Sequence, residues 1–187
     1  VIAEYVTSNY FPLLGFSPAL GRGFLAEEDR EPDTHRVAIL SHAFWVRRFG
    51  GDAGLLGRSV RLNERPYTVV GVLRPGFRGG TDHADLWLPF KSVGLAFPGG
   101  DYVNDRRIRW AVSHARLRPG ATFEQAQGDL DRVARRLADE HPDTNEGLGI
   151  TLEPMVESWL GELRAPLLLL LGAVVLVLGA VAVNLGH

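Results

Sequence analysis

The sequence predicts an α+β fold, with helices on one face of a sheet, followed by the start of a transmembrane helix. Short segments with alternating or β-branched apolar residues recur along the chain and are typical of strands. One long amphipathic helix pattern lies between two such segments, Arg107–Leu117 and Gly149–Val156. That order indicates a split β-α-β, or ferredoxin-like, subdomain. The chain then ends in an uncharged apolar run, from which we predict the membrane helix.

The first elements are predicted from local start and stop signals. They are, in order, a strand at Val1–Val6, a helix from Ser8 or Asn9 to Gly15, a buried strand at Val37–Leu40 and a helix from Ser41 to Gly50 or Gly51. Ser and Asn favour the cap before a helix because their side chains accept hydrogen bonds from free N–H groups of the first turn. Gly favours the end because it adopts the left-handed conformation without strain.

The middle of the chain is predicted to contain a hairpin, an edge strand and a loop. Ser59–Asn63 and Tyr67–Leu73 flank the turn sequence NERP and form the hairpin. Leu86–Phe90 is a further short strand, and we place it at a sheet edge because Pro89 has no N–H to donate. From Lys91 to Arg106 the composition shifts to Gly, Pro, Asp and Asn, which predicts an exposed loop and a subdomain border.

The strongest helix signal follows this loop. Thr122 and Gln125 have the spacing of a capping box, apolar residues then recur at helical spacing, and Pro142 lies past the end. The opposite side of this helix is charged and is interpreted as a solvated face; its residues are Glu124, Asp129, Arg132, Arg136 and Asp139.

The apolar tail has the length of a membrane span. From Ala165 to Leu185 about 21 residues carry no charge, and as a helix they cover roughly 31 Å, close to the thickness of the hydrocarbon core. A buried core helix is the alternative, but such helices usually keep a polar face. Small or polar residues within the tail are candidates for packing against a second membrane helix: Gly172, Gly179 and Asn184. The sequence resembles an excerpt that is cut soon after a span begins, and membrane orientation stays open.

Composition argues against several classes of protein. The net charge is -2 and the 20 basic residues are spread along the chain, so we expect no nucleic-acid partner. Cys is absent, so the sequence offers no thiolate metal site, no cysteine nucleophile and no disulfide. The absence of Cys also fits an extracytoplasmic location.

No group of residues indicates an active site, and we expect no catalytic residue, no cofactor and no metal. TDHAD, at residues 81–85, offers Asp82, His83 and Asp85 as ligands, but three candidates on one turn are typical of an ordinary polar turn. Ser41, His42 and His114 lack a nucleophile elbow and an orienting acid. The tryptophans could form a ligand platform, but most fall on predicted apolar faces: Trp45, Trp87, Trp110 and Trp159.

A resemblance to a known family is carried by four segments in order: VTSNYFPLLGFSPALGRGFLAEED, VAILSHAFWVRRFGGD, GRSVRLNERPYTVVGVLRPGFRG and DLWLPF. Together they resemble the periplasmic core domain of MacB-like (FtsX/MacB-type) permeases of the ABC transporter superfamily. The similarity is greatest to the bacterial orphan permeases that carry this domain twice. It extends over essentially the whole chain, and its motifs are structural rather than catalytic.

This resemblance implies an architecture and a role. Residues 1–164 would be an extracytoplasmic core domain with a smaller mixed subdomain inserted at 21–105, and residues 165–187 would begin a transmembrane helix in the bacterial inner membrane. The chain would be a dimeric permease component that transmits conformational change between membrane helices and envelope partners. ATP would be hydrolysed by a separate domain or subunit.

Two other readings stay open at this stage. One is a membrane-anchored binding or scaffold module, which the number of further spans in the whole gene would distinguish from a permease. The other is a membrane-tethered hydrolase that uses Ser41, His42 or the TDHAD turn. The transported substance, its direction and the copy of the domain are left open.

Overall fold

The structure, a computed structural model, describes residues 1–31, 34–81, 83–97, 99–155 and 166–176. The chain divides into two compact units, and the division falls between Arg116 and Leu117. The first unit contains the sheet. The second contains the long helix. Each unit is described by itself below.

The first unit alternates short strands and short helices. Its strands are β1 (Ala3–Val6), β2 (Leu20–Gly21), β3 (Val37–Leu40), β4 (Ser59–Leu62), β5 (Arg65–Val72) and β6 (Leu86–Pro89). Its α-helices are α1 (Tyr10–Leu14), α2 (His42–Phe49) and α3 (Val93–Ala96). Three 3-10 turns lie at Ala26–Asp29, Ala53–Leu55 and Phe90–Ser92.

All six strands belong to one mixed sheet of order β1-β6-β3-β5-β2, and β4 pairs with β5 at one end. The β1/β6 and β3/β5 pairs are parallel, whereas the other pairs are antiparallel. The β4–β5 hairpin closes through Asn63 and Glu64, whose φ angles are 45° and 66°. Two consecutive positive φ values are those of a type I′ turn, whose twist matches that of the paired strands. The predicted hairpin is confirmed, with β5 beginning at Arg65.

Hydrophobic clusters cover both faces of the sheet. Trp87, Ile39 and Phe11 belong to one cluster, in which α1 packs on the sheet. Leu86 and Leu88 belong to the other, in which Phe44 of α2 packs on the sheet. Neighbouring residues of β6 lie in different clusters because side chains alternate along a strand. Helices therefore contact both faces, and not one face as predicted.

The predicted position of β6 at a sheet edge is wrong. β6 lies between β1 and β3, and all four of its residues are buried. Pro89 pairs in register only with Val6 of β1, whereas β3 pairs with Leu86 and Trp87. Proline therefore stands past the last pair with β3, where its missing N–H removes no bond from that ladder.

The two strands predicted beside the long helix are also wrong. Residues 107–117 and 149–155 form no strand, and Val112 is 81% exposed. An alternating pattern produces a strand only where a partner edge supplies hydrogen bonds, and these segments pair with none of the described strands. The structure therefore has a mixed α/β fold with a mixed sheet, and the ferredoxin-like unit is not found in the described residues.

The segment predicted as a loop after β6 begins with helical turns. Phe90–Ser92 is a 3-10 turn, Val93–Ala96 is α3, and Ser92 and Val93 are buried. From Gly99 to Arg106 the chain consists of turns and irregular segments. The loop was predicted from the average composition of residues 91–106, and that average hid the helical turns at its start.

The helices with explicit end signals are confirmed, although Asn9, which precedes α1, makes no side-chain capping hydrogen bond. Ser41 Oγ accepts a hydrogen bond from the Phe44 N–H and begins α2, and Gly15 and Gly50 end α1 and α2 in the left-handed conformation. In the second unit, Thr122 and Gln125 form the predicted capping box of α4 (Phe123–Glu140). A short helix, α5 (Pro142–Asn145), follows. The charged side of α4 carries the ion pairs Arg132–Asp129 and Arg136–Glu140.

The apolar tail is described only at residues 166–176, which are helical with exposed side chains. Among the described residues, no helix has both the length and the apolar character of a membrane span. The predicted span at 165–187 thus stays a prediction. The domain bounds 1–164 and 21–105 also stay predictions. In the structure, β1 shares its sheet with strands from within 21–105, and the first compact unit ends at Arg116.

Candidate functional site

The residues singled out for chemistry have structural contacts. Ser41 is buried as the cap of α2, and the His42 ring lies against Trp45 with centroids 5.5 Å apart. His114 lies beside Tyr10, with ring centroids 5.8 Å apart. The structure therefore does not bring Ser41 and His114 together: Ser41 caps α2, and His114 contacts α1.

The TDHAD turn is held by hydrogen bonds that use its polar groups. Thr81 donates to Glu4, and Asp85 accepts from the Ile2 N–H and pairs with Arg47 at 2.7 Å. Asp82 lies outside the described residues. In the part of the chain that is described, no three His, Asp or Glu side chains are grouped as metal ligands would be.

The three tryptophans that the structure describes do not form a platform. Trp87 is fully buried, Trp45 donates its Nε1–H to the Asp52 carbonyl, and Trp110 stacks on Phe90 with centroids 4.9 Å apart. Trp159 lies outside the described residues, as do Gly179 and Asn184 of the predicted helix-packing set. Gly172 lies in the helical segment 166–176, and a methyl group added there would meet no described atom within 4 Å.

The carboxylate of Glu4, in β1, accepts four hydrogen bonds. Its Oε1 accepts from the Thr81 N–H at 2.7 Å and from the Thr81 hydroxyl at 2.6 Å. Its Oε2 accepts from the Trp87 Nε1–H at 2.7 Å and from the Gly80 N–H at 3.2 Å. Gly79 lies beside it with a φ of 80°, which favours glycine, and a Cβ there would lie 2.3 Å from Oε2, so that the Glu4 carboxylate would have to move. Four donors satisfy both oxygens and tie β1 to the loop before β6.

Two further carboxylates hold the ends of β1. Asp85 accepts from the Ile2 N–H at 3.1 Å before the strand. Asp29 accepts from the Ser8 N–H at 3.2 Å after it, and also from the Lys91 N–H at 3.3 Å. We call Glu4, Asp29 and Asp85 the strand-anchoring carboxylates. Together they bind β1 to segments on both sides of β6, so that the first strand is fixed at its start, middle and end.

The sequence pattern did not predict these anchors. Glu4 and its partners are 76 to 83 positions apart, and Asp29 and Lys91 are 62 apart. No local spacing rule links residues at such distances. The one available signal was an acidic residue inside a strand that alternates apolar and β-branched residues, since such a residue needs hydrogen-bond partners when it is partly buried.

A further carboxylate is buried in an ion pair. Glu28 is 5% exposed, and it contacts Arg22 through two hydrogen bonds of 2.6 and 2.9 Å. Its Oε2 also accepts from the Leu25 N–H at 2.8 Å. Burial alone would raise the pKa of Glu28, but the hydrogen bonds from Arg22 and Leu25 outweigh burial and lower that pKa. The pair therefore stabilises the folded state when Glu28 is ionised.

We expect Arg22→Met to lower the free energy of unfolding by about 2 kcal/mol at neutral pH, because it leaves a buried carboxylate without its cation. The value is below that of a fully buried pair because the Arg22 side chain is 43% exposed. A carboxyl group whose pKa is lower in the folded than in the unfolded state stabilises the fold at pH values above its unfolded pKa, which is about 4.3 for Glu. This stabilisation is lost as the pH falls through the pKa of the folded state. The difference between the two proteins should therefore shrink as the pH falls below about 4.3.

Denaturant unfolding at neutral and acidic pH measures this difference. Arg47→Met is the matched control, because Arg47 pairs with Asp85 with 63% of its own side chain exposed. It should cost about 1 kcal/mol or less. A penalty for Arg22→Met that stays the same at both pH values would contradict the ionic account.

Comparisons with known proteins agree on one family. The sequence profile of the MacB-like periplasmic core domain matches residues 1–133. The chain is 25% identical over 135 residues to the macrolide export ATP-binding/permease protein MacB of Salmonella paratyphi A, which covers 71% of this chain and 19% of that protein. It is 24% identical over 106 residues to the probable syringafactin export ATP-binding/permease protein SyfD of Pseudomonas syringae, covering 56% of this chain and 16% of that protein.

A solved structure has a similar fold. The periplasmic region of MacB from Actinobacillus actinomycetemcomitans superposes with a TM-score of 0.53 at 18% identity, covering 76% of this chain and 58% of that chain. At this identity the likeness concerns the fold alone. Because the family profile covers residues 1–133, well over half of the sequence, the chain belongs to the MacB-like periplasmic core domain family.

Proposed function

We propose that this chain is the extracytoplasmic part of a permease component of an ABC-type transporter, and that it transmits conformational change between membrane helices and envelope partners. The family match over residues 1–133 carries the proposal. Residues 1–164 would lie outside the cytoplasm, 165–187 would enter the inner membrane, and the chain would perform no catalysis of its own. The exposed leucines of the helical segment 166–176 support membrane contact.

Contacts within the first unit support a role in transmission. A domain passes on motion only if its elements move together and do not deform one by one. The sheet of this unit is buried on both faces, and the strand-anchoring carboxylates add links between β1 and the segments around β6. Arg116, at the other end of the unit, donates to the Leu13 carbonyl beside α1. Both ends of the unit are therefore tied to its interior.

ATP hydrolysis is assigned to another domain or subunit. Two matched relatives are named export ATP-binding/permease proteins, and the chain spans less than a fifth of their length. Dimerisation, and membership of the orphan permeases that carry the domain twice, follow from the family resemblance and belong to this proposal.

Purification of the intact gene product from its native membrane in mild detergent tests the proposal directly. Mass spectrometry should identify an ATP-hydrolysing subunit in stoichiometric amount, or an ATP-hydrolysing domain within the same polypeptide. Recovery of the protein alone, or with other envelope proteins only, would overturn ATP-driven transport in favour of an anchored binding or scaffold module.

A flexible insertion tests mechanical coupling. We expect a Gly/Ser insertion within Ser158–Arg164, which lies outside the described residues, to leave the domain folded but to uncouple it from the membrane helix. Energy transfer between a dye at Arg48→Cys and a dye at the bilayer surface should change with ATP in the parent protein and stay constant in the insertion variant. This sequence contains no cysteine, so Arg48→Cys adds one labelling site within it, and any cysteine elsewhere in the intact protein is replaced before labelling.

The matched control is the same insertion after Gly76, in an exposed turn of the first unit. It should keep the ATP-dependent change, since it does not interrupt the connection to the membrane. An insertion within Ser158–Arg164 that leaves the ATP response intact would count against transmission through this junction.

A further inference from the structure

A groove of about 140 Å³ is open on the sheet face that also carries α2. Strands β1, β4, β5 and β6 and helix α3 contribute its lining. Leu62 and Leu95, which are partly buried, supply apolar surface above the buried Leu86 and Leu88. The hydroxyl-bearing rings of Tyr5 and Tyr67 face the same space. The groove belongs to the first unit alone and is separate from the strand-anchoring carboxylates.

The strand register explains why these side chains meet. Ala3 pairs with Leu86 and Tyr5 with Leu88 across the parallel β1/β6 ladder, so both pairs point to one face. At the other side of the groove the β4–β5 hairpin pairs Leu62 with Arg65. The hairpin therefore adds a rim of polar residues to an apolar floor.

The rim is cationic. Arg61 and Arg65 line the groove, and its lining contains no carboxylate side chain. Among the described residues neither guanidinium forms an ion pair; Arg61 donates one hydrogen bond of 3.2 Å, to the Glu64 carbonyl. Each guanidinium has five N–H donors, so Arg61 keeps donors for a ligand.

Tyr5 adds a donor at the floor. Burial, and secondarily the neighbouring Tyr67, raise the pKa of Tyr5 to about 12. The phenol thus stays protonated at neutral pH and can donate its O–H to an anion. The groove thus combines an apolar floor with a phenol donor and two arginines. This combination matches a molecule that is apolar at one end and anionic at the other.

We propose that this groove binds a carboxylate carried on a short apolar body, with the body against Leu62 and Leu95 and the carboxylate between Arg61 and Arg65. The volume is below the roughly 300 Å³ at which pockets for drug-sized ligands begin. The ligand is therefore the size of a short acyl chain or of one acidic side chain next to an apolar residue. This binding site goes beyond the proposed function, which requires no ligand on the domain.

Fluorine NMR of the intact protein labelled with 3-fluorotyrosine tests the site. This sequence has four tyrosines, and Tyr→Phe variants at these four positions identify their resonances among those of the intact protein. Hexanoate should shift the Tyr5 and Tyr67 resonances and leave those of Tyr10 and Tyr102 unchanged. Tyr10 belongs to the cluster on the other face, and Tyr102 lies in the turns after α3. Hexanol and hexylamine have the same alkyl chain but no carboxylate, and they should give no saturable shift of the tyrosine resonances.

A second arm separates the two sources of such a carboxylate. Acetyl-Leu-Glu-Leu-amide presents the same chemistry within a peptide, and binding of hexanoate or of this peptide at Tyr5 and Tyr67 supports the site. The probe that binds with the higher affinity identifies the source of the carboxylate: hexanoate indicates a free carboxylate, and the peptide indicates a partner polypeptide. Absence of a selective shift with both probes overturns the proposal.

Substitutions at the rim locate the anion. Arg61→Gln and Arg65→Gln should each weaken probe binding by about tenfold, because each removes a charge-assisted hydrogen bond. Arg58→Gln is the matched control, since Arg58 is exposed, precedes the same strand and does not line the groove. Arg61→Lys keeps the charge and should lose less affinity than Arg61→Gln. Unchanged affinity in both Gln variants, with thermal midpoints close to that of the parent, would overturn the assignment.

Discussion

Trp87→Ala is expected to lower the free energy of unfolding by about 3–5 kcal/mol, the loss typical of a large aromatic residue removed from a core. The side chain is 0% exposed in the middle of β6. Its ring packs against Phe11 at 5.8 Å and Phe77 at 5.3 Å between centroids, and its Nε1–H donates to Glu4. The substitution therefore leaves a cavity and also removes one of the four donors to the Glu4 carboxylate.

Denaturant unfolding followed by circular dichroism measures this loss. Trp110→Ala is the control for removing an indole, because Trp110 is only partly buried and stacks on one ring. It should cost distinctly less than Trp87→Ala. Trp87→Phe, alone and combined with Glu4→Gln, separates the hydrogen bond from the volume. A loss below about 1 kcal/mol for Trp87→Ala would be incompatible with the packing described for this strand.

Gly21→Ala is expected to destabilise the fold by about 3 kcal/mol, for two reasons that add. Gly21 has a φ of 73°, and the left-handed conformation costs other residues roughly 1–2 kcal/mol. A Cβ at this position would also lie 2.2 Å from the Val70 carbonyl oxygen, which is backbone and cannot rotate away. The antiparallel β2/β5 pair, where Gly21 faces Gly71, would have to separate.

Gly23→Ala is the matched control, two residues further along the same segment. Its added methyl group would meet no atom within 4 Å, and its φ is not positive. Its effect should stay within about 0.5 kcal/mol of the parent. Equal unfolding midpoints for Gly21→Ala and Gly23→Ala would show that β2 is not held as closely to β5 as the geometry requires.

The anchored first strand connects these stability effects to the proposed function. Trp87 and Thr81 reach Glu4 from β6 and from the loop before it, so loosening β6 also loosens β1. If the domain transmits motion, a variant such as Trp87→Phe should weaken transmission at temperatures where the domain is still folded. The energy-transfer measurement with the Arg48→Cys label would detect that weakening independently of unfolding.

Several elements were predictable because their signals are local. Ser41, Thr122 with Gln125, Gly15 and Gly50 each act within a few residues of their own positions, through a cap or a left-handed turn. The order of segments also predicted the family, which the profile match confirms. The wrong strand predictions, at Arg107–Leu117 and Gly149–Val156, came from an alternation that is equally compatible with extended chain that lacks a ladder.

By itself the sequence determined the capped helices, the β4–β5 hairpin and the family. Each of these depends on contacts between near neighbours or on the order of segments. Only the tertiary structure decided that β6 lies inside the sheet and that Glu4 is bound by Gly80, Thr81 and Trp87. It alone brought Tyr5 of β1 beside the arginines of the β4–β5 hairpin. The physical reason is that strand order and long-range polar contacts depend on which distant segments pair, and no spacing rule within one segment carries that information.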